Sequence, residues 1–156
     1  MTRKIGILGA GAFGTALSIS YSKDYQVSLY SGFEDHVKSM KETRRNEFFE
    51  EFQIPDNVNI DVVDNLEKNA FDYIFWGFPV KPSVEILNSL KNIINGSNIV
   101  ICSKGLDNNG GFLFESFKKL LPDSKIGYLS GPNFAVELAE YKLSMADIAL
   151  ENSSDS

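Results

Sequence analysis

The sequence predicts an α/β domain built on a doubly wound, mostly parallel sheet. Three observations carry that expectation. Short apolar runs alternate with stretches of helical periodicity along almost the whole chain. Several of the runs are apolar enough to be strands buried on both faces, as in a parallel sheet covered by helices. The first run leads straight into a glycine-rich turn and then a helix. With 156 residues, the chain suits a single domain with a proper core; residues 1–150 are assigned to it and residues 151–156 to a polar tail.

Lys4–Leu8 is the first strand, and Gly9-Ala10-Gly11-Ala12-Phe13-Gly14 follows it directly. This is a G-x-G-x-x-G placed after a strand and before a helix, the setting in which the pattern points to a dinucleotide. Gly9 lets the chain turn out of the strand, Gly11 clears space for a pyrophosphate, and Gly14 lets the helix lie close to the sheet. The N–H groups and positive end of that helix would face the phosphates. The helix, about Ala12 to Lys23, carries Phe13, Ala16, Leu17 and Ile19 inward, and Gln26–Tyr30 completes a βαβ unit.

Phe33–Glu42 reads as a charged surface helix, with His36, the only histidine, as a solvated residue on it. Thr43–Asn59 is polar and irregular, and a loop of that length in a compact domain is often functional. Asn59–Val63 alternates as a short strand, and Asp64–Ala70 reads as a short helix opened by an aspartate. Asp72–Phe78 is an apolar strand ended by Pro79. Val80, Val84, Leu87, Leu90 and Ile94 then recur at helical spacing. Asn98–Cys102 is a buried strand, Ser103-Lys104-Gly105 opens a loop, and Leu113, Phe114, Phe117, Leu120 and Leu121 mark one helix face. Lys125–Leu129 is a strand, Ser130-Gly131-Pro132-Asn133 opens a helix through about Tyr141, and Ser144–Leu150 reads as a last strand.

A net charge of −6 argues against nucleic acid or an anionic membrane as partner, though not against a phosphorylated small molecule held by local amides and lysines. The single cysteine, Cys102, reads as a core residue and points to a reducing, cytoplasmic setting. No stretch reaches the roughly 18 apolar residues of a membrane span. No metal site is suggested.

Several separate stretches resemble one family. Gly9–Leu17, Asn46–Asp64 with Phe48-Phe49 and Ile54-Pro55, Phe78-Pro79, Ser103-Lys104-Gly105-Leu106, and Ser130-Gly131-Pro132-Asn133-Phe134-Ala135-Val136-Glu137 together make residues 3 to 150 similar to the N-terminal half of bacterial-type NAD(P)-dependent glycerol-3-phosphate dehydrogenase. The resemblance implies a Rossmann-type dinucleotide-binding domain. The parent reaction it implies is hydride transfer between NAD or NADP and dihydroxyacetone phosphate or sn-glycerol 3-phosphate. By position, Gly9, Gly11, Ala12, Phe13 and Gly14 would form the cofactor loop, Gly32 would sit near the adenosine ribose, and Phe78, Pro79 and Ala135 would meet the cofactor. Lys104 would touch both cofactor and substrate, and Gly131 and Asn133 would line the substrate side.

Some positions depart from that pattern. Asn133 stands where the family usually has serine or threonine. Tyr30-Ser31-Gly32 offers neither an acid for the ribose nor an arginine for a 2′-phosphate, so NAD and NADP both stay open. Tyr141–Asp147 fits poorly. Members continue into a helical domain that supplies the catalytic lysine, so no catalytic residue is assigned in this chain. The expectation is a truncated form that binds cofactor with little turnover and exposes an apolar surface around Phe134–Leu150, suited to a homodimer or weak oligomer. Two alternatives remain at this level: a non-catalytic dinucleotide-binding module, and a domain of another 6-phosphogluconate-like dehydrogenase.

Overall fold

A computed structural model of the chain describes residues 2–132, 134–142 and 145–150. The predicted Asn133 contact and the 151–156 tail lie outside the described residues. The parallel strands are β1 (Lys4–Leu8), β2 (Gln26–Ser31), β3 (Asn59–Val62), β4 (Tyr73–Trp76), β5 (Asn98–Ile101) and β6 (Lys125–Ser130). A final strand, β7 (Asp147–Leu150), pairs antiparallel with β6. The order across the sheet is β3-β2-β1-β4-β5-β6-β7. Helices α1 (Ala12–Tyr21), α2 (Glu34–Thr43), α3 (Val80–Ile94), α4 (Leu113–Leu120) and α5 (Ala135–Ala139) fill the connections.

The winding reverses at β1. From β1 the chain moves outward through β2 to β3, then crosses back to lay β4 on the other side of β1. In open sheets of this kind, ligands bind outside the carboxyl ends of the strands at that switch point. The apolar runs account for both faces. Leu8, Ile74, Trp76, Ile99 and Ile101 point into one core with Leu87, Leu90 and Phe117 of α3 and α4. Ile5, Ile7, Leu29, Phe75 and Val100 point the other way, with Leu17 of α1 and Met40 of α2. Alternate residues of one strand thus serve two cores, as the period-two geometry of a strand requires.

Residues 44–58 carry little regular structure but are firmly held. Arg44 ends α2 in the left-handed region at φ 53. Its guanidinium donates to the carbonyls of Ile54 at 3.2 Å and Val58 at 3.0 Å, and also to Pro55. Ile54, Val58 and Phe49 are buried.

Two predicted helices are shorter than their sequences imply. Over Asp64–Ala70 the structure forms only a single 3-10 turn, Val63–Asn65, without a side-chain cap. Asn69 turns left-handed at φ 58, and Phe71 lies under β1 against Gly6, where a Cβ would come within 2.7 Å of its ring. Similarly, α5 stops at Ala139, and Tyr141 at φ 56 prevents its continuation.

Candidate dinucleotide site

Four strand ends, those of β2, β1, β4 and β5, are laced together at the switch point. The Gly9 N–H donates to the Tyr30 carbonyl at 3.0 Å, the Gly77 N–H to the Leu8 carbonyl at 2.7 Å, and the Cys102 N–H to the Trp76 carbonyl at 2.8 Å. The glycine loop sits on this platform. Gly9 adopts φ +115, and a Cβ there would lie 2.5 Å from the backbone of Gly77 and Phe78, so the turn and the neighbouring strand end exclude any side chain. At Gly14 a Cβ would reach 2.1 Å from the Gly9 carbonyl oxygen. At Gly11 the situation reverses: a Cβ would meet nothing within 4 Å. Within this motif, space is kept clear at the one glycine whose neighbours do not require it, as expected if a ligand approaches the backbone there.

The start of α1 is equally receptive. Gly11 is its N-cap, no side chain caps it, and no acid occupies the first turn. The first-turn N–H groups and the positive helix end are left for a ligand anion. The residues therefore fit a dinucleotide: Gly11 leaves open space, and the start of α1 carries no side-chain cap. Ala12 and Phe13 are half-buried at the loop. Ala135 joins Ala12 in the same small apolar cluster around Ala16, Phe49 and Ala139, so α5 closes one side of the loop. Gly32, exposed at the end of β2, faces Phe78, whose ring a Cβ on Gly32 would touch at 4.0 Å. Phe78 itself is buried against Trp76, while Pro79 is exposed.

The loop after β5 is fixed from below. Ser103 Oγ donates to the Phe78 carbonyl at 2.5 Å, and the Tyr128 hydroxyl donates to the Ser103 carbonyl at 2.5 Å. Burial raises the Tyr128 pKa, with a smaller contribution from Cys102. That keeps the phenol protonated as a donor. Burial also pushes the Cys102 thiol up to about 12, against a smaller opposing pull from Lys104, which agrees with its reading as a core residue. Lys104 emerges above them, exposed, and its Nζ donates to the Gly131 carbonyl at 3.3 Å. Gly131 needs to be glycine, with φ +125 and a Cβ that would approach the Met145 carbonyl to 3.0 Å. The structure thus joins the expected substrate-side residues Lys104 and Gly131.

His36 requires a correction. It is not a solvated helix residue but half-buried, with Nδ1 3.0 Å from Ser31 Oγ and Nε2 3.1 Å from Asn46 Oδ1, edge-on to Phe48. Asn46, at the head of a family-like stretch, and Gly77 carry no assigned role in the sequence. A lone asparagine in a polar stretch carries no local signal of burial, yet Asn46 is completely buried. Gly77, between two aromatics before Pro79, offered the weak cue of a strand-end glycine.

Comparison with known proteins agrees with this geometry. The family model described as the NAD-dependent glycerol-3-phosphate dehydrogenase N-terminus matches residues 4–156. The chain belongs to that family. It is 33% identical over 156 residues to glycerol-3-phosphate dehydrogenase [NAD(P)+] of Neisseria meningitidis, covering 96% of this chain and 47% of that protein. Its structure is similar to the crystal structure of glycerol-3-phosphate dehydrogenase from Coxiella burnetii, with a TM-score of 0.87, 27% identity, and coverage of 97% of this chain and 48% of that one. The yeast glycerol-3-phosphate dehydrogenase shares the fold, with a TM-score of 0.80 at 20% identity, over 100% of this chain and 49% of that one. The chain spans about half the length of the curated relatives it matches. It is the N-terminal, NAD(P)-binding domain of this dehydrogenase family, and among the described residues no helix is long and apolar enough to cross a membrane.

Proposed function

We propose that this domain holds the nicotinamide cofactor for hydride exchange between NAD(P)H and dihydroxyacetone phosphate, giving sn-glycerol 3-phosphate for glycerophospholipid synthesis in the cytoplasm. The observation that carries the reading is the meeting of Lys104 and Gly131, 27 residues apart in sequence, at the same sheet edge as the open Gly11 loop. The cofactor would supply the hydride. The pyrophosphate would rest on Gly9, Gly11, Ala12, Phe13 and Gly14, the adenosine ribose beside Gly32, and the nicotinamide end toward Phe78, Pro79 and Ala135. Lys104 would pair with a phosphate or polarise the ketone oxygen, with Gly131 and Asn133 beside the substrate. The catalytic lysine of the family is assigned to the other half of such enzymes, so the residues of this domain bind and orient.

The exposed apolar residues Phe134, Met145, Ile148 and Leu150 support a further surface contact, which the reading takes as self-association. The test of the main reading is a titration with NADH and NADPH, followed by NADH oxidation with dihydroxyacetone phosphate. Residues 1–156 are expected to bind cofactor with negligible turnover, because general acid catalysis alone is worth roughly a hundred- to ten-thousand-fold. No binding of either cofactor would overturn the reading. A rate of about 1 per second or more would show that this domain carries the chemistry itself.

A further inference from the structure

The Asn46 side chain makes four hydrogen bonds among the described residues, and their directions can be assigned. Its Nδ2 donates to the Ala10 carbonyl at 2.9 Å and to Thr15 Oγ1 at 2.6 Å. Its Oδ1 accepts from the Phe48 N–H at 2.9 Å. The second approach to Oδ1, from His36 Nε2 at 3.1 Å, must then come from a ring N–H, since an amide oxygen only accepts. Nδ1 lies 3.0 Å from Ser31 Oγ, which accepts from the Phe33 N–H at 3.3 Å. One chain of hydrogen bonds therefore runs from the end of β2, beside Gly32, to the middle of the glycine loop.

Where it ends is informative. Ala10 lies between Gly9 and Gly11, and among the described residues there are no cis peptide bonds. In a trans peptide the carbonyl of one residue and the N–H of the next point in opposite directions. A donor that captures the Ala10 carbonyl on the Asn46 side therefore turns the Gly11 N–H the other way. With the carbonyl released, the same peptide could rotate and present an oxygen to an anion. A donor buried at 0% exposure, 36 residues away in sequence, is more than the local turn needs, because Gly9 and Gly14 already fix that turn by contact.

We propose that Asn46 is a positioning residue for dinucleotide binding: it orients the Ala10–Gly11 peptide toward the pyrophosphate, and His36 holds its amide in the working direction. This rests on the glycine loop being the pyrophosphate site.

The experiment is fluorescence titration of the protein with NADH, well below each variant's melting temperature. Asn46→Asp keeps the shape and the accepting Oδ1 but replaces the donating Nδ2 with an oxygen, losing both donors; its Kd is expected to rise about tenfold or more. His36→Phe, on a half-buried site, should raise Kd by a smaller factor, about threefold. The double variant should be no weaker than Asn46→Asp, because His36 acts through Asn46. A purely structural role would lower the melting temperature and leave the Kd of folded protein unchanged, and that result for Asn46→Asp overturns the proposal. Should Asn46→Asp not fold, Thr15→Val and His36→Phe decide: a raised Kd in either supports the proposal, and wild-type Kd in both overturns it. Gly11→Val separates the two levels. If it binds like wild type, the site reading and this inference fall together; if it alone loses binding, only the inference falls.

Discussion

The Gly9 carbonyl oxygen stands where a side chain on Gly14 would have to begin, 2.1 Å from an ideal Cβ. Strand β1 and helix α1 are thus in backbone contact across the turn that joins them. The obstructing atom belongs to the main chain and to the residue at φ +115, so neither partner can give way cheaply. Gly14→Ala is expected to destabilise the fold by on the order of 3 kcal/mol, the upper end for overpacking. That is a large part of a typical domain's stability of roughly 5–15 kcal/mol. A urea midpoint close to wild type would contradict the contact.

Gly11 predicts the opposite behaviour. Valine meets open space there, so the domain should fold, at a cost of about 1 kcal/mol for placing an apolar residue at the N-cap of α1. The same side chain would fill the gap proposed for the pyrophosphate, and NADH binding should disappear. The pair Gly11→Val and Gly14→Ala separates binding from folding within one motif.

That contrast also shows what was legible in the sequence. The tight turn at Gly9, the close contact at Gly14 and the open space at Gly11 follow from local geometry, and local geometry is what a short motif encodes. The strands were readable for the same reason, since a sheet covered on both faces demands continuous apolar runs such as Ile99–Ile101. Asp64–Ala70 failed because its fate is decided by Phe71 seating beneath Gly6 on β1, a contact across 65 residues that no helical propensity reports. His36 and Asn46 failed likewise, because they hydrogen-bond to each other, His36 also to Ser31 and Asn46 also to Thr15 and Ala10. Long-range polar pairing of this kind leaves no periodic trace in the chain.

Trp76 provides a test of the core beneath the site. Its indole Nε1 donates to Ser83 Oγ at 3.0 Å in a fully buried position, and Ser83 in turn donates to the Pro79 carbonyl at 2.7 Å. Ser83→Ala leaves the indole N–H without that acceptor. An unpaired buried donor costs about 1–3 kcal/mol, and denaturant unfolding followed by the fluorescence of this single tryptophan should show a loss in that range.

Cys102 should be inert while the domain is folded. Its thiol is pushed up to about 12 by burial from an ordinary value of 9.0, and the thiolate is the reactive form. Alkylation at pH 8 should therefore follow unfolding rather than precede it. The folded protein holds this proton more tightly than the unfolded chain does. The resulting stabilisation is complete below about pH 9 and is lost as pH rises toward about 12. Cys102→Ala should accordingly show a shallower fall in stability across that window than wild type. Equal slopes would place the thiol in a more open setting than the structure gives it.

Lys104 would separate binding from stability at the proposed substrate side. Its side chain is exposed, and replacing an exposed side chain is expected to change stability by no more than about 0.5 kcal/mol. Lys104→Met keeps the apolar stem and removes the ammonium. A hydrogen bond to a charged group is worth about 1.5–3 kcal/mol when its partner is a bound anion, so affinity for NADH or the phosphorylated ketone should fall by about tenfold or more. The salt dependence of binding should weaken as well, because one charge contact is gone. Titrations of wild type and Lys104→Met at low and high ionic strength measure both effects. Unchanged affinity at both would remove Lys104 from the site and leave the sheet edge near Gly131 without its assigned cation.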